Sequence, residues 1–127
     1  MERRAGPGLL SLALLLGAAA CSSPVQQPGK AAAAVEIRGF EFRPALLEVT
    51  RGTVVTFANR DDVLHTATAG VAVKKDDLGT YDRKPTGAFD LRLEGSGTST
   101  AFTFTEPGEF TYFCDRHAHM TGKVVVR

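Results

Sequence analysis

Thiols are almost absent from this chain. It has two cysteines; Cys21 falls in an N-terminal leader, which leaves Cys114 alone in the remainder. A disulfide inside the folded part is therefore excluded, and the fold must rest on its own core. Histidine and methionine are nearly as scarce, at three and two, and Met1 is the initiator, so Met120 is the only internal methionine. No apolar run is long enough to cross a bilayer: the longest, Leu9 to Ala20, spans only about a dozen residues. Charge of one sign is also lacking. Fifteen basic residues face fourteen acidic ones, and without Glu2, Arg3 and Arg4 the two balance. That removes the basic footprint of a nucleic-acid binder and any strong steering field. Neither a Ser-His-Asp signature nor a phosphate-binding glycine loop is present, which excludes the commonest hydrolase and nucleotide-binding classes.

The N-terminus reads as an export signal over residues 1–20. Glu2-Arg3-Arg4 gives a net basic start, Leu9 to Ala20 the apolar region, and Gly17-Ala18-Ala19-Ala20 the small residues before a cleavage site. Cys21-Ser22-Ser23 follows, so the segment resembles a bacterial lipoprotein signal in which lipid is attached to Cys21. Ordinary secretion with cleavage near Ala20 is the alternative. Either way the expected location is extracytoplasmic, in the cell envelope or periplasm or secreted, with membrane association through Cys21 if it is lipidated. Residues 21–34 read as a flexible tether, with two prolines, a glycine and no large hydrophobe to offset the entropy of ordering. Residues 35–127 are then one domain of common size, expected to be a monomer.

The scarce residues are not scattered. Cys114, His117 and Met120 stand three apart in Cys-Asp-Arg-His-Ala-His-Met, and His65 lies far upstream at the start of a short β-like run. One thiolate, two imidazoles and a thioether make the ligand set of a mononuclear blue-copper site, a trigonal plane of Cys and two His with a weak axial Met. In the competing reading Cys114 is a buried small hydrophobe and Met120 a gap-filler, which leaves their shared spacing unexplained. His119 is the other imidazole in the loop. Spacing favours His117 as the ligand, and His119 is expected as a solvated surface residue near the metal, with a pH-dependent influence on docking or potential as the sharper alternative. Asp61 and Asp62 are expected to shape a turn before His65, and Asp115 and Arg116 to be solvated.

The rest of the domain reads as all-β. Val35 to Arg38 and Phe40 to Arg43 alternate apolar and polar residues in different phase, which suggests a bulge at Gly39. Further strands are expected over Leu46–Thr50, Thr53–Ala58, His65–Thr68, Phe89–Leu93, Ser99–Thr105, Phe110–Cys114 and Lys123–Arg127. Residues 70–86 fit least well and read as a long surface excursion holding a short helix or an edge strand. Many short strands, frequent turns and no sustained 3.6-residue period predict a β-sandwich or barrel.

Asn59-Arg-Asp-Asp-Val-Leu-His65-Thr and Glu106-Pro-Gly-Glu-Phe-Thr-Tyr112-Phe-Cys114-Asp-Arg-His117-Ala-His-Met120-Thr-Gly122 together resemble the cupredoxin family, in particular small single-domain members such as amicyanin and plastocyanin. The C-x-x-H-x-x-M spacing is similar to amicyanin's short loop, and the resemblance covers the whole of residues 35–127. It implies a Greek-key β-sandwich and one type 1 copper ion bound by His65, Cys114, His117 and Met120. It also implies one-electron transfer between redox protein partners, with docking through the loop around His117, and no enzymatic activity. Storage or delivery of copper without electron shuttling is the alternative. In that family the residue after the first His ligand gives its backbone amide to the cysteine sulfur, and Thr66 holds that position here where Asn is common.

Overall fold

The computed structural model describes residues 31–127. The export signal, the lipidation of Cys21 and most of the expected tether lie outside the described residues. Those described form nine strands and no helix: β1 (Ala32–Ile37), β2 (Phe42–Arg43), β3 (Leu46–Val49), β4 (Thr53–Asn59), β5 (His65–Lys74), β6 (Tyr81–Leu93), β7 (Ser99–Phe104), β8 (Gly108–Phe113) and β9 (Thr121–Val126). They build two sheets, ordered β2-β1-β4-β7 and β3-β9-β8-β5-β6. The all-β Greek-key sandwich expected from the sequence is the fold.

Burial follows the two-residue period that such packing demands. In β4 every second residue from Thr53 to Asn59 is buried, with Val55 and Phe57 pointing at the opposite sheet. Val35 and Ile37 of β1, Phe89 and Leu93 of β6, Phe104 of β7, Tyr112 of β8 and Val124 of β9 complete the core. Its centre is aromatic. Tyr112 meets Phe42 edge-on at 4.7 Å and Phe57 at 5.5 Å. Such T-shaped pairs add to the apolar burial.

Three local features differ from the sequence expectations. Strand β1 begins at Ala32, ahead of residue 35, because Ala32–Ala34 pair in parallel with Val54–Thr56. Chain pairing there supplies what the alanines' side chains cannot. The phase slip at Gly39 is a two-residue reverse turn rather than a bulge. Gly39 and Phe40 both have positive φ, 61° and 60°, the Arg38 amide donates to the Glu41 carbonyl at 3.0 Å, and Ile37 pairs with Phe42. Two positive φ values match the right-handed twist of a tight hairpin, easily for glycine and with strain for phenylalanine. Finally, residues 70–86 contain no helix. Val71–Lys74 and Tyr81–Lys84 extend β5 and β6 as one hairpin at the sheet edge, after a register shift between Thr68 and Gly70. The edge-strand reading of that segment is the right one.

Candidate metal centre

The site lies at one end of the sandwich, where β5 begins and where β8 hands over to β9. His65 is the first residue of β5, Cys114 directly follows β8, and Thr121 opens β9. The segment between them is pinned at its base. Phe113 pairs with Thr121, and the Cys114 amide donates to the Met120 carbonyl at 3.0 Å. Cysteine therefore leaves a fixed strand end, and the chain can turn back within a few residues. His65, Cys114 and Met120 are buried and His117 is half-buried.

Three donor atoms converge. The Cys114 sulfur lies 3.7 Å from His65 Nδ1 and 3.5 Å from His117 Nδ1, and all three sit within 4.8 Å of one another. With metal–sulfur and metal–nitrogen bonds of about 2.3 and 2.0 Å, a trigonal or tetrahedral arrangement sets sulfur and nitrogen about 3.5–3.7 Å apart. The spacing therefore fits a single transition-metal ion. A set of one thiolate, two imidazoles and a nearby thioether selects copper over magnesium or calcium, which take oxygen. His119 is not part of the cluster. It is exposed, with a positive φ of 57°, and its ring meets Tyr81 at 6.3 Å.

The surroundings fix the donors. His65 is fully buried, and its Nε2 lies 3.0 Å from Asp61 Oδ2. That carboxylate also accepts the amides of Gly39 at 2.7 Å and Phe40 at 2.9 Å. Burial pushes the Asp61 carboxyl up, but these hydrogen bonds and His65 outweigh it and hold it below the ordinary value. An ionised acceptor keeps the proton on Nε2 and leaves the Nδ1 lone pair facing Cys114. At His117, burial first, then the neighbouring His65 and Arg116, hold the imidazole below its ordinary value, so it is neutral and able to donate its lone pair near neutral pH.

The sulfur is held as well. The Thr66 amide donates to Cys114 Sγ at 3.4 Å, as the resemblance implied. The Thr66 side chain braces the ligand loop: its Oγ1 accepts the Asp115 amide at 2.8 Å. Thr68 donates to Asp90 Oδ1 at 2.8 Å, so the 3.0 Å contact between the two hydroxyls has Thr66 as donor. A one-way chain of hydrogen bonds thus runs from the ligand loop through Thr66 and Thr68 to Asp90. Above the imidazoles sits Phe40, 46% exposed, edge-on to His65 at 5.4 Å and to His117 at 4.9 Å.

All four residues expected from the sequence as copper ligands are brought to this end. Asp61 was read only as a turn former. Its position four residues before His65 was the available signal, because a carboxylate close to a candidate histidine ligand is a common orienting partner. Nothing in the sequence near Phe40 or Asp90 pointed to the site.

A family model of copper-binding proteins of the plastocyanin/azurin type matches residues 30–127. Among solved structures, a reduced Cu(I) form of an amicyanin variant is 29% identical, covers 76% of this chain and 82% of its own, and superposes with a TM-score of 0.56. The purple cupredoxin of Nitrosopumilus maritimus is 26% identical over 75% of this chain and 99% of its own, with a TM-score of 0.53. A copper-containing nitrite reductase from Thermus scotoductus is 30% identical over 75% of this chain but only 22% of its own, with a TM-score of 0.55. Met120 is buried at the end of the same loop, tied through its carbonyl to the Cys114 amide, and with His65, Cys114 and His117 it makes the donor set of a type 1 copper site. With donors, spacing and fold in agreement, the chain belongs to the plastocyanin/azurin family of copper-binding proteins.

Proposed function

We propose that this protein is an extracytoplasmic one-electron carrier, held at the cell envelope through its N-terminal segment. The observation that carries the reading is the convergence of the Cys114 sulfur with two imidazole nitrogens at 3.5 and 3.7 Å. Bound copper supplies one-electron exchange between Cu(I) and Cu(II). The protein's part is to hold the donors so that neither oxidation state demands rearrangement. His65 is locked by Asp61, the sulfur by the Thr66 amide, and the loop by the Cys114–Met120 bond. Burial excludes water from the thiolate, while half-buried His117 leaves a route from the metal to a docked redox protein. Rigid donors favour electron exchange over copper delivery, which needs a ligand that lets go.

Adding Cu(II) to the apoprotein should give an intense blue colour from thiolate-to-copper charge transfer, and the colour should bleach and return reversibly with reductant and oxidant. Cys114→Ser should abolish it. A pale Cu(II) protein that does not cycle would move the reading to copper storage or delivery.

A further inference from the structure

Behind Cys114, on the outer face of the five-stranded sheet, lies a cavity of about 350 Å³ bounded by β5, β6 and the ligand loop. It is unusual for its guanidinium groups. Arg83 and Arg92 come from β6 and Arg116 from the loop, between the ligands Cys114 and His117. Arg92 is paired with Glu94. Neither of the other two forms an ion pair within 4 Å among the described residues, although the charge of Arg116 is felt at Glu94. Arg83 Nε is buried and has no hydrogen-bond partner. Two exposed carboxylates share the lining, Asp90, which accepts from Thr68, and Asp115, whose amide donates to Thr66. A buried guanidinium N–H without an acceptor carries a desolvation cost that an incoming oxyanion would relieve. Planar guanidinium groups match carboxylate and phosphate oxygens better than any other common ligand.

The cavity wall includes Thr66, whose amide donates to the Cys114 sulfur and whose hydroxyl holds the Asp115 amide. A group bound in this cavity therefore shares its wall with the residue whose amide donates to the thiolate. We propose that this cleft binds an oxyanion, a carboxylate or a phosphate, between Arg83 and Arg116, and that its occupancy is transmitted to Cys114 through Thr66. The oxyanion comes either from an acidic side chain of a docked protein or from a free small anion. Copper is not needed for the binding itself.

The test is titration of the full-length Cu(I) protein, followed by amide and arginine side-chain NMR signals. The probes are inorganic phosphate, acetate and tetraglutamate. Saturable shifts at Thr66, Arg83 and Asp115 are expected with at least one of them. The Arg83→Gln/Arg116→Gln double variant should bind that probe at least about tenfold more weakly, the equivalent of one charge-assisted hydrogen bond. Saturation should also displace the charge-transfer band of the Cu(II) form in the parent and not in the double variant. Tetraglutamate saturating at lower carboxylate concentration than acetate identifies an acidic protein surface as the source; acetate or phosphate saturating first identifies a free anion. Linear, unsaturable shifts with all three probes, or equal affinity in a double variant whose melting temperature matches the parent, would overturn the proposal. Saturable binding with an unmoved charge-transfer band would overturn its link to Cys114.

Discussion

The Asp61 carboxylate joins two parts of the chain that are far apart in sequence. It caps the strained turn at Gly39 and Phe40 and orients the ring of His65. Asp61→Ala should therefore weaken copper retention about 10–100-fold, the usual effect of losing an orienting partner of a metal ligand. Competition with a chromophoric chelator measures it, and parent-like retention would show that the ring is held by packing alone. At this scale the four candidate ligands were readable, because residue type and spacing carry metal chemistry directly. Their supports were not. Asp61 is linked to Gly39 and Phe40 across more than twenty residues, and Thr68 to Asp90 likewise, so only the folded sheets bring them together. A single sequence records such pairs as ordinary turn or surface residues.

Among the elements, the long β5–β6 hairpin depends on one glycine. A Cβ on Gly70 would collide with the Lys84 carbonyl oxygen, and its φ is +146°. Gly70→Ala should destabilise the protein by about 1–3 kcal/mol, in the range of overpacking, lowering the melting temperature. Because the pairing from His65 to Thr68 precedes the register shift, the blue colour of the copper form should survive. Loss of colour without loss of stability would show that the hairpin braces the site. The strands that alternate cleanly, such as β4, were plain in the sequence, since burial on one face imposes a period of two. The turn at Gly39 was not, because a bulge and a tight turn shift the phase of alternation alike. Nor was the outer half of the hairpin. An edge strand buries little, so Lys74 and Asp82 sit in it without an apolar pattern to mark them.

For the whole molecule, metal binding and folding are one equilibrium. The donors come from β5 and from the β8–β9 connection, and no unfolded chain holds them within 4.8 Å. Copper should therefore raise the melting temperature, by the equivalent of about 4 kcal/mol when free metal exceeds its dissociation constant a thousandfold. Paired thermal melts with copper and with excess chelator measure this, and coincident melts would mean that the metal binds elsewhere or equally to the unfolded chain. The sandwich itself was readable, but not the partner of each strand, because parallel pairs such as β1–β4 and β3–β9 join segments with no local signal. The position of β9 has a consequence for biogenesis. It is the last of the nine strands to be synthesised, yet it lies inside its sheet between β3 and β8. Until it emerges, β3 has no neighbour in the sheet and the ligand loop has no second anchor. A nascent chain thus carries the Cys114 thiol but no finished pocket, and the metal must be acquired after synthesis of the domain, at a single late step rather than progressively along the chain.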